Sequence, residues 1–415
     1  MNRVRLMATL FVAQVLGSTG HSIVMAVGGI LAAAITGTNA WVGVPVAVAA
    51  LGAALASWPL SRLMARVGRR PGLTLGYGLA VVGAGLGMAG VLVSSFALLL
   101  IGMALFGIAQ TSNLLARYAA ADVTPKSERG RAMGLIVWGA TIGSILGPNL
   151  MPAAVRAGAR LGLSPIGSAF LISVAGYSIA AVLVEALLRP DPLAIARRME
   201  QESEGRRDVA PARSLGEIFA EPRARIAVGT LMLSQIVMIG TTSTSPVYLH
   251  DQGHAVSTIG LAVSMHLGGM YVASPLSGWL CDRFGRVPMI VTGALGLLVA
   301  VTLAGVVPGS ESGLVMLGLF FNGVGWNLAF VAASALLTDA LSASERTSIQ
   351  GLADLVMGLM GALGSALGGM VLGAWGFGAL NTLGGAIVLA GLAAIWLQRS
   401  GPVAITLPLR EEPER

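Results

Sequence analysis

The chain has 415 residues, of which 55% are hydrophobic and only 11% are charged, and its formal net charge is +7. About a quarter of the residues in a typical soluble protein are charged, so this composition excludes a chain that lies mainly in water. Fifteen of the forty-five charged residues fall between positions 189 and 225, and apolar blocks with short polar breaks make up the remainder. The composition therefore predicts an integral membrane protein.

Twelve apolar blocks are long enough to cross a membrane. A spanning helix needs about 20 mostly apolar residues to cross a hydrocarbon core of about 30 Å. Lipid offers the backbone no hydrogen-bond partners, so each block is predicted to be helical. Predicted segments 1 to 12 lie near residues 7–33, 41–64, 72–93, 96–120, 131–153, 166–188, 225–249, 256–280, 288–307, 313–338, 348–373 and 377–398.

The basic residues predict the orientation of these segments. With the N-terminus in the cytoplasm, twenty-four Lys and Arg residues fall on the cytoplasmic side or at its edge, and only Arg156 and Arg160 fall outside. Cytoplasmic loops of membrane proteins carry this excess of positive charge. We therefore expect a multi-pass protein of the cell inner membrane with both termini in the cytoplasm. The basic residues form short clusters at segment ends, which indicates a lipid bilayer and not nucleic acid as the partner.

The two halves of the sequence repeat with an offset of 217 residues. Two parallel six-helix repeats joined by a charged linker are typical of secondary transporters. The predicted fold is an all-α membrane protein with twelve transmembrane helices in two pseudo-symmetric six-helix bundles. The matched positions are 65–69 with 282–286, 127–129 with 344–346, and Asp122 with Asp339. The predicted parts are an N-terminal bundle (1–188), a charged cytoplasmic linker (189–222), a C-terminal bundle (223–399) and a cytoplasmic tail (400–415).

Two motifs resemble those of a known family. The run GWLCDRFGR from Gly278 to Arg286 resembles the signature of the major facilitator superfamily, which lies between the second and third helix of each half. The residues Gly139, Gly143, Gly147 and Pro148 resemble the fifth-helix motif of its drug:proton antiporter branch. The resemblance covers essentially the whole chain, and it implies alternating access by two six-helix bundles.

The first of these motifs indicates a cytoplasmic latch, a set of charges that holds neighbouring helices together when the inner side is closed. Asp122 and Asp339, at the inner ends of segments 4 and 10, are the expected partners of its arginines. The glycines of segment 5 allow close helix contact and Pro148 allows a bend; ordinary packing is the alternative role. The predicted latch residues are Arg66, Gly68, Arg69, Asp122, Gly278, Asp282, Arg283, Gly285, Arg286 and Asp339.

The sequence departs from the family pattern in two places. Ala65 stands where the first-half motif has an aspartate, and Met103 stands where the fourth helix often carries an arginine tied to proton coupling. Drug:proton antiport therefore does not follow from the resemblance alone.

Two charged residues lie inside predicted segments. Asp354 is about eight residues, or about 12 Å, into segment 11, and Arg117 is about five residues from the cytoplasmic end of segment 4. Intramembrane charges are costly and usually functional. The resemblance implies that these segments meet at the cytoplasmic gate. One hypothesis is therefore that Arg117 and Asp354 form an ion pair when the gate is closed. Protonation of Asp354 would then weaken this pair. The alternative pairs Asp354 with Arg66 or Arg69, in place of the acid missing at position 65.

Polar residues form stripes on the segments that line the central cavity in the superfamily fold. Gln14, Ser18 and His21, for example, share one helix face because they are four and then three residues apart. These stripes predict a substrate site, and hydrogen bonding between packed helices is the alternative. The predicted substrate-binding residues are Gln14, Ser18, His21, Gln110, Asn113, Trp138, Gln235, Thr242, Asn322 and Trp326.

The histidines are candidates for proton or metal binding. His266 lies about ten residues into segment 8, where an imidazole could carry a proton. His250, Asp251 and His254 cluster on an outer connection and offer usable metal ligands, but spacing alone does not decide for a metal. No metal and no cofactor is predicted.

Absent motifs narrow the function. The sequence has no phosphate-binding GxxxxGK[ST] loop, so ATP is not expected to drive transport, and no catalytic triad indicates an enzyme. The predicted function is proton-coupled export of small neutral or amphipathic organic molecules by alternating access, carried out by a monomer. The alternatives are proton-coupled or facilitated uptake of a metabolite, lipid export, and a membrane sensor that does not transport.

Overall fold

The computed structural model describes residues 3–37, 41, 44–204, 213–254, 256–306 and 312–400, and these residues contain helices and no strand. A 3-10 turn at Lys126–Glu128 precedes the fifth helix. The helices are α1 (Arg3–Thr36), α2 (Val44–Val67), α3 (Arg69–Leu92), α4 (Phe96–Asp122), α5 (Arg129–Asn149), α6 (Met151–Ala159), α7 (Ala169–Leu187), α8 (Pro192–Glu204), α9 (Leu215–Ala220), α10 (Pro222–Asp251), α11 (Val256–Tyr271), α12 (Ser274–Phe284), α13 (Arg286–Val306), α14 (Ser312–Ala340) and α15 (Ala343–Ser400).

Ten helices in the described part of the chain are long and apolar enough to cross a membrane. The 58 residues of α15 contain two of the predicted segments, because Gly376 adopts a left-handed φ of 82° and bends the chain between them.

Segment 8 was predicted as one helix, and that prediction is wrong. The segment is interrupted at residues 272–273, just before Pro275 in the first turn of α12, because proline has no N–H to continue the helical pattern. With α11 and α12 counted as one segment, the twelve predicted segments are present.

Two other boundaries differ from the prediction. Segment 5 was expected to reach residue 153, but α5 ends at Asn149 and the short helix α6 follows, with Pro152 in its first turn. The linker was predicted only as a charged stretch, yet it contains the helices α8 and α9. A capping box at Ser214 starts α9, because the Ser214 side chain and Glu217 bond each other's backbone N–H groups.

The two halves pack internally through small residues. In the first half α3 packs on α4, and α1 packs on α5 and α7; in the second half α13 packs on α14, and α10 packs on α15. A Cβ atom built on Gly83 of α3 would lie 2.7 Å from the carbonyl oxygen of Gly102 on α4. In the corresponding helix pair of the second half, α13 and α14, a Cβ on Gly293 would lie 2.7 Å from the carbonyl oxygen of Gly325. Close approach of this kind is how transmembrane helices associate without a hydrophobic driving force.

Contacts between the halves concentrate at one end of the molecule. The first part of α15 packs on α2, and α12 packs on α5. A Cβ on Gly351 would lie 2.7 Å from the carbonyl oxygen of Ser57, and one on Gly278 would lie 2.8 Å from the Cα of Arg131. These positions are near the helix ends that the charge distribution assigns to the cytoplasm. The halves are therefore closed against each other on that side.

The glycine motif of α5 brings this helix directly onto α1. A Cβ on Gly143 would overlap the carbonyl oxygen of Val15 and approach the Cβ of Ser18 to 2.6 Å, and one on Gly147 would lie 2.6 Å from the carbonyl oxygen of Thr19. Backbone contact of this kind fixes the rotation of α1.

The substitution G143A is expected to lower the free energy of unfolding by about 1–3 kcal/mol, because the added methyl group overpacks the contact between α1 and α5. Thermal unfolding in detergent micelles measures the effect. The control is G85A, since no atom lies within 4 Å of a Cβ built on Gly85. Equal melting temperatures for the two variants would contradict the packing described.

Candidate functional site

A cavity of about 330 Å³ lies between the two halves. Residues of α1, α4 and α5 form its first wall, and residues of α10, α11, α14 and α15 form its second wall. Seven of the ten residues predicted to bind substrate line this cavity: Gln14, Ser18, His21, Gln110, Asn113, Gln235 and Trp326.

The wall from the first half is polar. The Gln14 amide donates to the Ser18 hydroxyl at 3.4 Å, and the Tyr77 hydroxyl donates to the Asn113 side-chain oxygen at 3.0 Å. Three buried atoms of this wall have no hydrogen-bond partner among the described residues: Gln14 Oε1, His21 Nδ1 and Asn113 Nδ2. An unsatisfied buried polar group costs about 1–3 kcal/mol, so a ligand that bonds these atoms recovers that cost.

The wall from the second half is aromatic and rich in methionine. The rings of Trp326 and Phe330 stack with their centroids 4.6 Å apart, and the Trp326 indole N–H donates to Gln235 Oε1 at 2.8 Å. Methionine side chains fill irregular gaps and adapt to different partners. The other lining residues of this wall are Met238, Ile239, Met270, Tyr271 and Met357.

Three residues predicted to bind substrate lie outside this lining. Trp138 stacks on Phe11 with ring centroids 5.9 Å apart. The Thr242 hydroxyl lies 3.5 Å from Asn322 Oδ1, and both residues are further along their helices toward the outer side than Gln235 and Trp326. Helical spacing identified the correct faces of α10 and α14, but it did not give the depth of the cavity.

His266 is also separate from the cavity lining. It is 2% exposed, its Nδ1 lies 3.1 Å from the Leu319 carbonyl oxygen, and its Nε2 lies 3.4 Å from the Thr242 hydroxyl. A role of His266 in proton relay stays a prediction.

A buried ion pair lies at the end of the cavity that is nearer the predicted cytoplasmic side. Arg117 lines the cavity, and its Nη2 donates to Asp354 Oδ1 at 2.5 Å, with side chains that are 2% and 0% exposed. The guanidinium group lies between two rings, 4.2 Å from the Tyr118 centroid and 4.4 Å from the Phe330 centroid. Arg117 belongs to the first half and Asp354 to the second, so the pair crosses between the halves.

Arg117 lies close to the pseudo-symmetry axis. Its equivalent in the second half, at the 217-residue offset, is Ser334, and the Arg117 Nε donates to the Ser334 hydroxyl at 3.3 Å. The equivalent of Asp354 in the first half is Val137, which also lines the cavity. The pair therefore has no symmetric copy.

The other partners considered for Asp354 lie elsewhere. Arg69 donates to Asp122 at 2.8 Å and to the Gln350 side-chain oxygen at 2.6 Å. Arg66 is exposed and makes no ion pair or hydrogen bond with any residue that the structure describes. In this conformation Asp354 pairs with Arg117.

Asp122 is bound from both halves. Arg69 of the same half bonds one of its oxygens, and Arg346 of the opposite half lies 3.8 Å from the other. The sequence prediction included Arg69 and Asp122 but not Arg346, although the repeated Ser-Glu-Arg sequence that ends at Arg346 was visible.

Asp339 is bound in the same way at the equivalent place in the other half. Arg286 of the same half lies 3.2 Å from one oxygen, and Arg129 of the opposite half donates to the other at 2.6 Å. Arg129 ends the first copy of the Ser-Glu-Arg sequence and was likewise missed. The two triads together join the halves at the side that the charge distribution assigns to the cytoplasm.

Asp282 of the loop motif binds the start of α5. Its two oxygens accept from the backbone N–H groups of Gly130 at 3.0 Å and Arg131 at 2.7 Å. A carboxylate is stabilised at a helix N-terminus by the helix dipole. Gly285 allows the sharp turn after Asp282 with a φ of 94°. Arg283 is exposed and has no hydrogen bond or ion pair within the described ranges.

The outer histidine group lies partly outside the described residues, since the side chain of His250 is not described. Among the residues that are described, no group of three or more His, Cys, Asp or Glu side chains could hold a metal ion.

Two six-helix halves around a cavity that is closed at one end define a multi-pass membrane transporter. The model of the Major Facilitator Superfamily matches residues 10–256 and 245–414. The chain is 33% identical over 385 residues to the uncharacterized MFS-type transporter YdeG of Bacillus subtilis, which covers 92% of this chain and 89% of that protein. The chain belongs to the Major Facilitator Superfamily.

Other relatives differ in how much of the chain they match. The riboflavin transporter RfnT of Brucella anthropi is 29% identical over 90% of both chains. The multidrug resistance protein MdtL of Klebsiella pneumoniae is 29% identical over 37% of this chain and 39% of that protein. The solved structure of the proton:xylose symporter XylE has a TM-score of 0.76 at 15% identity and covers 96% of both chains. The last similarity shows the fold alone.

Single substitution of either Arg117 or Asp354 by alanine is expected to cost about 3–5 kcal/mol of stability, because it leaves a buried charge without its partner. The double variant R117M/D354L removes both charges and is expected to recover most of that loss while transport stays absent. Thermal unfolding of the purified protein measures this. A double variant as unstable as the less stable single variant would contradict the coupling of the two charges.

Proposed function

We propose that this protein is a proton-coupled secondary transporter of the cell inner membrane that exports small neutral or amphipathic organic molecules by alternating access. It works as a monomer with both termini in the cytoplasm. The observation that carries the proposal is the buried Arg117–Asp354 pair, which joins the two halves at the cytoplasmic end of the cavity.

The pair couples closure of the inner side to the charge of Asp354. A hydrogen bond between charged groups is roughly twice as strong as one between neutral groups, so a proton on Asp354 weakens the hold on Arg117. A protonated transporter then opens inward. When the proton leaves toward the cytoplasm and substrate enters, the pair forms again and the loaded transporter closes on the inner side.

The chemistry of the cavity supports a neutral or amphipathic substrate. The charge of Arg117 is balanced by Asp354, and the other polar lining residues named above are uncharged. Atoms of Gln14, His21 and Asn113 offer hydrogen bonds on one wall, and the Trp326–Phe330 stack offers an apolar face on the other. Pockets of this kind bury the apolar part of a ligand and orient it through a few polar groups.

Uptake of a metabolite is the second candidate. The full-length similarity to a riboflavin transporter favours it, whereas the similarity to MdtL covers only 37% of the chain. A planar ring system with hydrogen-bonding groups along its edge, as in riboflavin, fits between a polar and an aromatic wall.

Transport into proteoliposomes with an imposed pH gradient separates export by exchange from uptake with protons. Riboflavin and a panel of neutral fluorescent aromatic compounds serve as probes. Exchange predicts accumulation of the substrate in vesicles with an acidic lumen, because protons leave as substrate enters. Accumulation in vesicles with an alkaline lumen would instead establish symport and contradict export. An ionophore that collapses the gradient is the control.

The variant D354N is expected to lose accumulation driven by the pH gradient while it keeps exchange of substrate between the two sides, because its uncharged amide cannot release a proton. The matched control is E185Q. Glu185 is 44% exposed at the inner end of α7, where it pairs with Arg189. If D354N accumulated substrate as well as the wild-type protein does, Asp354 would have no role in proton coupling.

A further inference from the structure

The two loop motifs at the cytoplasmic side repeat in sequence but not in their contacts. In the second half, Asp282 bonds two N–H groups at the start of α5 in the opposite half. The equivalent position in the first half is Ala65, and the equivalent helix is α15. Ala65 has no carboxylate, so this turn cannot bond the start of α15 as Asp282 bonds the start of α5.

The linker helix α8 lies in this place. Arg197 donates to the Ala65 carbonyl oxygen at 3.1 Å. Both carboxylate oxygens of Glu200 accept from the backbone N–H of Ala343, at 2.8 and 3.1 Å, and Ala343 is the first residue of α15. Arg197 and Glu200 are three residues apart and therefore share a helix face. One turn of α8 thus joins the turn between α2 and α3 to the start of α15.

The linker is fixed to the first half just before α8. The Asp191 carboxylate accepts from the backbone N–H of Arg69 at 3.1 Å and from that of Arg70 at 2.8 Å. These groups start α3, so Asp191 stabilises the N-terminus of that helix as Asp282 stabilises α5. The N-terminal end of α8 therefore moves with the first half.

The far end of the linker is fixed to the second half. Arg213 donates to Glu345 at 2.8 and 2.9 Å and to the Ala340 carbonyl oxygen at 3.0 Å. Hydrogen bonds to Glu345 raise the pKa of Arg213 above its ordinary value, so this contact stays charged. The contact of Glu200 with Ala343 consequently lies on a segment that is anchored in both halves.

We propose that Glu200 is a positioning residue of the transport cycle, which supplies to the start of α15 the carboxylate that Ala65 lacks and so stabilises the inward-closed conformation. The inference rests on the proposed alternating access and does not depend on the substrate or on the coupling ion. Because Asp354 lies on α15, Glu200 also holds the helix that must bring Asp354 to Arg117. Opening of the inner side requires the bond from Ala343 to Glu200 to break.

Distances between spin labels at the cytoplasmic side test this in the full-length protein in detergent, without substrate or pH gradient. The single cysteine, Cys281, is replaced by serine, and labels are attached at V67C and F284C. These positions are 51% and 57% exposed and equivalent in the two halves. The distance between the two labels reports closure of the inner side even if no pH-driven transport is observed. A failure of this inference can therefore be distinguished from a failure of the proposed function.

The variant E200A is expected to lower the ratio of closed to open molecules by about tenfold or more, because it removes a hydrogen bond to a charged group, which is roughly twice as strong as one between neutral groups. E200Q, which keeps an acceptor but not the charge, is expected to give a smaller shift and guards against misfolding of E200A. The matched control is E202A, because Glu202 is exposed and pairs with Arg198 on the same helix at 2.9 Å.

Rescue separates a gating role from a general loss of structure. The variant A65D in the E200A background places a carboxylate where Asp282 has one in the other half, and it is expected to restore the closed population. An unchanged ratio in E200A, or no recovery on adding A65D, would overturn the proposal. A shift in E202A as large as that in E200A would also overturn it, because any loss of charge on α8 would then be sufficient.

Discussion

The structure depends on one buried ion pair between Arg117 and Asp354. Burying two charges costs several kcal/mol per ion, and their attraction repays this only with good geometry and further hydrogen bonds. Arg117 meets these conditions, because Ser334, Tyr118 and the Leu114 carbonyl oxygen accept its remaining bonds. The pair forms only when the two halves meet. In the proposed mechanism its value lies less in stability than in making closure of the inner side depend on the charge of one carboxylate.

Of the contacts that join the two halves at the predicted cytoplasmic side, some have a pseudo-symmetric copy and others do not. The triads around Asp122 and Asp339 use equivalent residues, but the contact between the halves is a 2.6 Å hydrogen bond at Asp339 and a 3.8 Å ion pair at Asp122. The ion pair has no copy, since Val137 stands opposite Asp354. The loop motif has its aspartate only at Asp282; in the other half the linker carboxylate of Glu200 bonds the start of α15 at Ala343, four residues before the position equivalent to Gly130. In the proposed mechanism the symmetric contacts stabilise the closed state, and the contacts without a symmetric copy allow that state to open when Asp354 is protonated.

Much of the fold and part of the candidate site could be predicted from the sequence. Segment length and charge bias predicted the twelve-segment fold, and the 217-residue offset identified the equivalent residues of the two halves. Helical spacing selected most of the cavity lining, but Thr242 and Asn322 lie beyond it because spacing gives a face and not a depth. Trp138 lies beside lining residues of α5 but on another face of the helix, where it stacks on Phe11. The break between α11 and α12 was missed although Pro275 marks it, because the long apolar block around this proline has the length of a single membrane span. Phe330 carries no polar signal, and the contacts of α8 depend on tertiary placement that a charged stretch does not reveal.

The proposed mechanism requires that a proton on Asp354 opens the inner side. The most direct test measures the distance between labels at positions 67 and 284 over a range of pH, in the wild-type chain and in D354N, both with Cys281 replaced. The wild-type population is expected to move from closed to open as the pH falls, whereas the D354N population is expected to favour the open state and not to change with pH. A wild-type population that does not respond to pH, or a D354N population that stays closed, would contradict it.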